Sequence, residues 1–574
     1  MVGIGGLLLL GAAWIAVTGV ESVKAAHKVE QDLQAIDYYI STGQLTQVRA
    51  FSADLATQSA RAHRLTTGPA WWMASEVPYL GRPFAVVRGL TNTAHEMARE
   101  TVPDVVGLAT ELDPSKLRPS GNTINLNAVI AAAPQLARVV ASVDHAARRL
   151  SALPGNTWLG SVNHARQRVS DRLTTVAGYV TAADRMAKVL PQMAGDNGLK
   201  RYFVGLQNEA ELRGSGGVPG SFAIMVADHG VVTFTTFASD QTLLPPPTQH
   251  VPTGLNFGSK YDAAWGASQP TQDYLDSNAS PNFSYAAQIW AKMWEKVTGN
   301  HIDGAISLDP TALSYFLAVT GPTQTANGTV VDASNVVALT QSTVYTLYPD
   351  NQQRKDFLVS LTKAVDKKLI SGSGSAQSLL RAGARAGAEH RFQVWFGDPG
   401  VENVLQQSSF AGIFPQSSQP FSAVILNNAA AGKLDYYVTR SIAYQSTGCG
   451  PTRDILVTVA LTNNAPLGLP AYVVGRIDTN AKYAHPGDDR LFVDYVATDG
   501  AQILSLTHND VPTTVAPLSE SGHPMFRFDL ELPRGTTQTL AFHLLEPAGA
   551  QPPDIWLQPG VSPVQLTYFE QRCT

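Results

Sequence analysis

The segment from Gln207 to Ser221, QNEAELRGSGGVPGS, combines residue types that could bind an anion. Arg213 could place a bidentate guanidinium on a charged ligand, and the glycines after it could let backbone N–H groups converge on that ligand. A turn that only leads the chain into the next strand is the alternative. Pro219 stands where the motif G-x-G-x-x-G has its third glycine, and no Gly-Lys-Ser/Thr follows. The predicted ligand-binding residues of this loop are Arg213, Gly214, Ser215, Gly216, Gly217 and Ser221.

The polar segment from Asp273 to Asn282 is a second candidate for ligand binding. Oxygen-rich loops of this kind can hold Mg²⁺ together with a phosphate, which makes Asn278 and Asn282 candidate ligand-binding residues. The alternative is a lead-in to a helix that Asn282 caps.

Two carboxylates flank a predicted strand at 302–308. Ligands of α/β sheets bind beyond the carboxyl ends of strands, so Asp303 and Asp309 could face a common crevice. We interpret Asp309 as a helix cap, because Pro310 follows it at the first helical position. The predicted catalytic residues are therefore Asp303 and Arg213.

Other catalytic and binding classes have little support in the sequence. It contains neither G-x-S-x-G nor H-E-x-x-H, and the S-x-x-K formed by Ser360 and Lys363 lies in a predicted amphipathic helix. The chain has 41 Lys and Arg against 46 Asp and Glu, a formal charge of -5. Because nucleic-acid-binding proteins normally carry an excess of basic residues, we predict no nucleic-acid partner.

Residues 21–195 are predicted to form a helical bundle. Val29, Leu33, Ile36 and Ile40 recur at helical spacing and define one apolar face. Similar periodicity occurs at 84–97, 129–143 and 169–190, and such segments fit antiparallel helices that bury their apolar stripes against each other.

Three aromatic residues, Trp71, Trp72 and Tyr79, cluster near a predicted turn of this bundle. A ligand site is one interpretation of the cluster. We favour core packing at the end of the bundle or contact with the lipid interface, and the sequence leaves these two open.

Residues 196–410 mix short apolar runs with helices, which predicts an α/β domain. The segment 222–234 alternates around Asp228, His229 and Gly230, a turn signal between two strands. Further helices are predicted at 284–297, 351–370 and 375–387.

Residues 411–574 are predicted to form a β-sandwich of immunoglobulin type, because seven strand-like runs alternate with turn residues. These runs are DYYVTRSIAY, DILVTVALT, AYVVGRI, RLFVDYVAT, MFRFDLEL, QTLAFHLL and VQLTYFEQ. Both cysteines, Cys449 and Cys573, lie here. Two thiols in one domain predict a disulfide, which would place the domain on the oxidising side of a membrane. Two unconnected thiols are the alternative.

The first 20 residues contain no charged side chain. A helix of that length spans about 30 Å, the thickness of a bilayer core, so we predict a transmembrane anchor at residues 1–20. A buried core helix and a cleaved signal peptide are the alternatives. No basic segment precedes the run and no clear A-x-A site follows it, which argues against a signal peptide. Lys24 and Lys28 follow the run and leave its orientation open.

The order of several segments resembles a family of membrane-anchored envelope proteins of high-GC Gram-positive bacteria that is described only as a domain of unknown function. The resemblance covers most of the chain. The segments that carry it are PAWWMASEVPYLG, NEAELRGSGGVPGSF, NASPNFSYAAQIWAKMWEKVTG, IDGAISLDPTALSYFLAVTGP, RKDFLVSL and KLDYYVTRSIAY.

The central region is also distantly similar to the LytR-CpsA-Psr domain, in which a basic residue near a strand precedes a helix and a strand of the form I-D-x-x-apolar-x-apolar-D. Enzymes of that family transfer a glycan from a polyprenyl-pyrophosphate carrier to the cell wall, with arginines on the pyrophosphate and an acidic residue with Mg²⁺. The similarity implies that Arg213 contacts the pyrophosphate and that Mg²⁺ is the cofactor. The family's Arg-Ser-Asp and Pro-Arg-Asp strings are missing from this chain.

These observations predict an α+β, single-pass membrane protein whose anchor, helical bundle, α/β domain and β-sandwich occupy residues 1–20, 21–195, 196–410 and 411–574. The leading hypothesis is that it recognises a polyprenyl-phosphate-linked glycan or wall polymer outside the cell and transfers the glycan to the wall. The rival hypothesis is a non-catalytic scaffold that organises envelope protein partners.

Overall fold

The protein has a mixed α+β fold in two compact units. One unit comprises Met1–Pro119 and Ile124–Gln192, and the other comprises Ser120–Thr123 and Met193–Thr574. The computed structural model describes residues 18–19, 21, 24–25, 28, 31–32, 35, 45–111, 114–118, 120–371, 374–415, 419–478, 482, 484–549 and 551–571.

The first unit is helical. The predicted helices around 84–97, 129–143 and 169–190 are confirmed, whereas the apolar stripe from Val29 to Ile40 lies outside the described residues. Pro103 lies at the second position of the helix Val102–Glu111, which continues directly from a π-helical turn at Met97–Thr101. The α-helices are α1 (Leu45–Thr66), α2 (Pro69–Ser75), α3 (Arg82–Glu96), α4 (Val102–Glu111), α5 (Pro114–Leu117), α6 (Leu126–Ser151) and α7 (Gly160–Met193).

Helix α6 is the one helix in the described part of the chain that is long and apolar enough to cross a membrane. Length and composition alone support this, and a core helix passes the same test. Its residues Val129, Leu136, Val139 and Val143 are buried in the core of the helical unit. The predicted anchor at 1–20 lies outside the described residues except for Thr18 and Gly19, so it remains a prediction.

The second unit contains a five-stranded sheet in the order β3-β2-β1-β4-β7, in which only β1 and β4 pair in parallel. A two-stranded ribbon of β5 and β6 accompanies it. The strands are β1 (Lys200–Arg213), β2 (Gly216–Asp228), β3 (Val231–Ser239), β4 (Gly304–Leu308), β5 (Thr323–Gln324), β6 (Val330–Val331) and β7 (Phe392–Phe396). The predicted turn between β2 and β3 is confirmed, since His229 and Gly230 both have positive φ.

The helices of the second unit follow the predictions closely. The predicted helices at 284–297, 351–370 and 375–387 correspond to α9, α13 and α14. The helices are α8 (Ser259–Trp265), α9 (Phe283–Thr298), α10 (Pro310–Thr320), α11 (Val336–Ala338), α12 (Val344–Leu347), α13 (Asn351–Ile370), α14 (Ala376–Ala388), α15 (Pro399–Leu405) and α16 (Ala471–Val474).

Two further sheets, with the orders β14-β15-β11-β8-β17 and β13-β12-β16-β10-β9-β18, pack around a shared core. The strands are β8 (Phe421–Asn428), β9 (Val438–Thr447), β10 (Thr452–Asn463), β11 (Asp489–Ala497), β12 (Gln502–His508), β13 (Val511–Thr513), β14 (Ala516–Glu520), β15 (His523–Leu532), β16 (Thr537–Pro547), β17 (Asp554–Leu557) and β18 (Gln565–Glu570). The immunoglobulin type remains a prediction: β17 pairs with β8 and β18 with β9 in parallel, unlike the antiparallel sheets of that fold.

One predicted strand is wrong. The run AYVVGRI forms the short helix α16 and then irregular chain. Pro470 precedes the helix, and Val473 is buried in a core that also contains Leu313 of α10 and Leu361 of α13. Tertiary packing therefore outweighs the strand preference of the two valines.

The predicted domains 196–410 and 411–574 lie in one compact unit. Leu212 of β1 is buried in the core shared by the two C-terminal sheets, and Tyr261 and Trp265 of α8 are buried beside Phe421 and Met525. Residues 196–410 and 411–574 therefore share hydrophobic cores.

Cys573 lies outside the described residues, so its pairing with Cys449 remains a prediction. The neighbouring residues bring these parts of the chain together. Gln571 donates its backbone N–H to Ser446, and Gly448 donates its N–H to the side chain of Gln571 at 2.9 Å.

Glu546 of β16 is a buried acid whose ionisation should affect stability. Thr498 donates a hydrogen bond to it at 2.5 Å, and burial raises the pKa of Glu546 from 4.5 to about 7. Between these two values the folded protein retains a proton that the unfolded chain loses. Stability should therefore fall as pH rises through this interval, by about 3 kcal/mol in total.

Glu546→Gln removes this ionisation. The variant should exceed the wild type in stability by about 3 kcal/mol at pH 8 and by little at pH 4. Urea denaturation at both pH values tests the prediction, with Asp499→Asn, an exposed carboxyl next to Thr498, as the control. An equal effect of Glu546→Gln at both pH values would contradict it.

Candidate functional site

Arg213 lies at the end of β1 and is 6% exposed. Its Nε donates to Asp276 at 3.0 Å and its Nη2 donates to Glu211 at 2.8 Å, while Nη2 also forms an ion pair with Asp276 at 2.9 Å. Nη1 donates to the carbonyl oxygens of Leu212 at 3.0 Å and Asn428 at 3.4 Å. Each of the three guanidinium nitrogens therefore has an acceptor within the protein.

The charge around Arg213 is balanced internally. Burial alone would lower the pKa of Arg213, but the Glu211 and Asp276 carboxylates outweigh this effect and raise it. Lys433 pairs with Glu211 from the other side. Burial would raise the pKa of Glu211, yet Lys433 and Arg213 lower it, so that carboxylate stays ionised.

A second buried ionic cluster includes Glu209, which lies two residues before Glu211 on β1. Arg391 Nη1 donates to Glu209 at 2.8 Å and to Asp309 at 2.9 Å, and its Nη2 donates to the carbonyl oxygen of Gly560 at 2.9 Å. Burial, and next the Glu209 carboxylate, raise the pKa of Asp309 well above its usual value. Asp309 also caps α10 by accepting from Ala312 N–H at 2.7 Å, which confirms the predicted capping role.

The glycines between β1 and β2 allow close backbone packing. A Cβ atom on Gly214 would lie 2.1 Å from the carbonyl oxygen of Ala279, and one on Gly217 would lie 2.2 Å from the carbonyl carbon of Asn208. Gly216 has a φ of 147°. Gly214 N–H donates to the Asn427 side chain at 2.9 Å. This backbone approach accounts for the glycines without an anion.

The remaining predicted ligand-binding residues also have protein partners. Ser215 accepts a hydrogen bond from Gln207 at 3.1 Å, and Ser221 lies 3.5 Å from the Thr362 hydroxyl. Asn278 Nδ2 donates to the carbonyl oxygen of Gly217 at 2.8 Å.

Asn282 caps α9, as the alternative interpretation predicted. Its side-chain oxygen accepts from Ser284 N–H at 3.2 Å, and its Nδ2 donates to Ser521 at 3.1 Å.

The structure does not bring the two predicted catalytic residues together. Asp303 accepts from Arg201 N–H at 2.9 Å and from Lys200 at 3.3 Å, at the start of β1. Arg213 ends the same 14-residue strand, a separation on the order of 40 Å at about 3.3 Å per residue. One substrate atom cannot contact both side chains.

The predicted Mg²⁺ does not fit the carboxylates of Asp303 and Asp309. Both oxygens of Asp303 accept hydrogen bonds from β1, and those of Asp309 accept from Ala312 and Arg391. Within the described ranges, no group of three His, Cys, Asp or Glu side chains is placed to hold a metal ion.

A cleft of about 280 Å³ lies beside Arg213, and we name it the Trp265 cleft. Arg213 is the one predicted site residue that lines it. Its walls include Trp265, Ala267, Asp276, Asn427, Asp478, Phe492 and Arg527.

Aromatic rings and an arginine form one wall of the cleft. The Arg527 guanidinium lies 4.6 Å from the ring centre of Trp265 and 5.3 Å from that of Phe492. Arg527 also pairs with Asp494 through two hydrogen bonds of 2.7 and 3.0 Å. The guanidinium is thus held by a carboxylate while it packs against the two rings.

Asn427 is the polar side chain of the cleft with unused hydrogen-bonding capacity. It is 5% exposed, and its Oδ1 accepts from Gly214 N–H, whereas its Nδ2 is buried with no partner among the described residues. A buried amide donor without a partner costs about 1–3 kcal/mol. A ligand or water acceptor would remove that penalty.

The sequence gives only a partial signal for this site. The charged residues Glu209, Glu211 and Arg213 alternate with the apolar residues Ala210 and Leu212 at the end of β1, which indicates buried ionic partners. Trp265 and Arg527 are far apart in the chain and meet only through the fold, so no local motif identifies the cleft.

Comparison with known proteins gives one match. No curated protein and no solved structure matches the chain. Residues 197–345, about a quarter of the chain, match the family model DUF4012, a protein family of unknown function; they include β1, β2 and the Arg213 loop. The predicted resemblance to a domain family of unknown function is confirmed for these residues, and the similarity to LytR-CpsA-Psr domains remains a prediction.

Proposed function

We propose that the protein is a membrane-anchored component of the cell envelope that binds a glycan in the Trp265 cleft outside the cell. The cleft carries this proposal: it combines aromatic faces, polar groups and internally balanced charges in one cavity. The envelope location rests on the uncharged N-terminal run, the predicted disulfide and the resemblance described above.

The charge balance favours a neutral polar ligand. Arg213 is neutralised by Glu211 and Asp276, and Arg527 by Asp494. Asp478, on the same cleft, pairs with Arg476 at 2.7 Å. An anionic ligand would have to displace one of these carboxylates, whereas a sugar ring would only exchange hydrogen bonds with water.

The size and surface of the cleft also suit a sugar. Its volume of about 280 Å³ lies near the lower end of the range of about 300–1,000 Å³ for small-ligand sites. Trp265 and Phe492, with the Arg527 guanidinium packed against both rings, contribute to its lining, and Asn427 retains an unpaired donor. A small number of polar groups on a mainly apolar and aromatic surface is typical of small-molecule sites.

The resemblance further suggests that the glycan is carried on polyprenyl phosphate and is transferred to the wall. A pyrophosphate contact by Arg213 would require its guanidinium to leave Glu211 and Asp276. Transfer would also need a carboxylate other than Asp303 near the cleft. We therefore restrict the proposal to recognition and derive no transfer step and no role for Mg²⁺.

A variant that fills the entrance of the cleft tests recognition without disturbing the ionic clusters. Ala267 is exposed and lines the cleft, and Ala263 is equally exposed on α8 but does not line it. We expect the full chain in detergent to bind neutral monosaccharides such as glucose, galactose or N-acetylglucosamine. Ala267→Trp should weaken that binding at least about tenfold, and Ala263→Trp should leave it unchanged.

Saturation-transfer NMR and calorimetric titration measure this binding, with inorganic pyrophosphate as a parallel probe. No binding of any sugar, or equal binding by the two variants, would overturn the proposal. Tight binding of pyrophosphate that Ala267→Trp abolishes would replace it with the anion-site hypothesis.

A non-catalytic scaffold is the second candidate. The charged residues of β1 supply support for it, because Glu211 pairs with Lys433 and Arg391 joins Glu209 to Gly560. These contacts place the charged part of the segment from Gln207 to Ser221 in the interior. In a scaffold, Ala267→Trp would leave envelope integrity intact in cells; a loss of integrity in that variant would contradict the scaffold.

A further inference from the structure

One end of the helical unit exposes a group of large apolar side chains, which we call the bundle-end patch. The exposed fractions of its members range from 46% to 62%, and they are Trp72, Met73, Val77, Tyr79, Leu80 and Trp158. Two loops meet in this patch, because Trp158 Nε1 donates to the carbonyl oxygen of Leu80 at 3.2 Å. Exposed apolar patches of this kind mark interaction sites.

The N-terminal apolar run reaches the described structure beside this patch. Trp71 is 3% exposed, and its Nε1 donates to the Thr18 hydroxyl at 2.8 Å. A Cβ atom on Gly19 would lie 3.8 Å from the same indole ring. Residues 1–17 carry no charged side chain, and Trp72, the next residue after Trp71, belongs to the patch.

We propose that the bundle-end patch docks on the surface of the lipid bilayer that holds the N-terminal anchor. This inference rests on the anchor assumed in the proposed function. Because the apolar run ends against Trp71, a bilayer around that run would lie within a few side-chain lengths of Trp72. The position of the apolar run beside the patch is the reason to prefer the bilayer over a protein partner.

The chemistry of the patch suits the headgroup region. Tryptophan and tyrosine place an apolar ring in the acyl boundary and a polar N–H or O–H in the headgroups. Arg82 is exposed and lies 5.7 Å from the ring centre of Tyr79, where its guanidinium could contact lipid phosphates. The patch would therefore set the level at which the bundle meets the membrane.

Photo-crosslinking of the full chain in membranes tests the docking. A benzophenone amino acid replaces Leu80 or Trp72 in separate variants, and both positions are exposed. Ile130 is the matched control: it is 44% exposed and lies on α6, about 30 Å along that helix from its end at Ser151. We expect lipid adducts at positions 72 and 80 to exceed those at 130 at least about tenfold by mass spectrometry.

Each outcome decides a separate point. Membrane-retained chain with equal lipid adducts at all three positions, or with none, would overturn the docking alone. Adducts to another protein or to a second copy at positions 72 and 80 would replace the bilayer with that partner. Release of the whole chain from membranes by alkaline carbonate would overturn the anchor, and the sugar titration would still test the Trp265 cleft.

Discussion

Replacing Arg391 with methionine is expected to lower the free energy of unfolding of the second unit by about 3–5 kcal/mol. Glu209 and Asp309 are 0% and 1% exposed and would lose the cation that they share. Water cannot replace it at that depth. The loss should be larger at pH 8 than at pH 5, because Arg391 partly offsets the raised pKa of Asp309 and its removal would make ionisation of that buried carboxyl costlier still.

Hydrogen exchange of peptides from β1 during urea denaturation measures this loss in the relevant unit, since a chain with two units need not unfold in one step. Arg385→Met is the matched control. Arg385 pairs with Glu389, which also contacts Arg391. Because the Arg385 side chain is 61% exposed, Arg385→Met should lower the free energy of unfolding by less than about 1 kcal/mol.

A rescue separates the ionic role of Arg391 from its packing role. In the triple variant Arg391→Met, Glu209→Gln, Asp309→Asn the cation and both carboxylates of this cluster are replaced by neutral side chains, and asparagine can still cap α10. Stability should return to within about 1–2 kcal/mol of the wild type, because a buried ion pair replaced as a whole costs little. A triple variant as unstable as Arg391→Met would contradict the ionic explanation.

The local structure of this protein could be predicted from the sequence to a large extent. The helix at 351–370 and the cap formed by Asp309 and Pro310 appear where spacing and residue type place them. These features depend on contacts within a few residues. The run AYVVGRI failed because its valines are placed by a core assembled from distant helices.

The function of the charged segment could not be predicted in the same way. Arg213 and Asp303 have the residue types of a catalytic pair, but residue type does not specify whether a charge faces solvent or an internal partner. The partners of Arg213 include Asn428 and, through Glu211, Lys433, both more than 200 residues further along the chain. Only the tertiary fold reveals that the guanidinium is already neutralised.

Gly214→Ala is the substitution that best separates the two explanations of the glycine loop. The added Cβ atom would lie 2.1 Å from the carbonyl oxygen of Ala279, and the other close atoms also belong to the backbone. A flexible side chain cannot relieve such a clash. We expect a loss of stability of about 3 kcal/mol or more, measured by the same exchange experiment.

Gly220→Ala, six residues further along in β2, provides the control, because a Cβ atom there meets nothing within 4 Å and the variant should stay within about 0.5 kcal/mol of the wild type. If the glycines instead served an anion, Gly214→Ala would keep its stability and lose binding of inorganic pyrophosphate. That result would restore the phosphate interpretation, since backbone space would then be needed by the ligand. A destabilised Gly214→Ala beside a stable Gly220→Ala means that the space is occupied by the chain between Ala279 and Pro281.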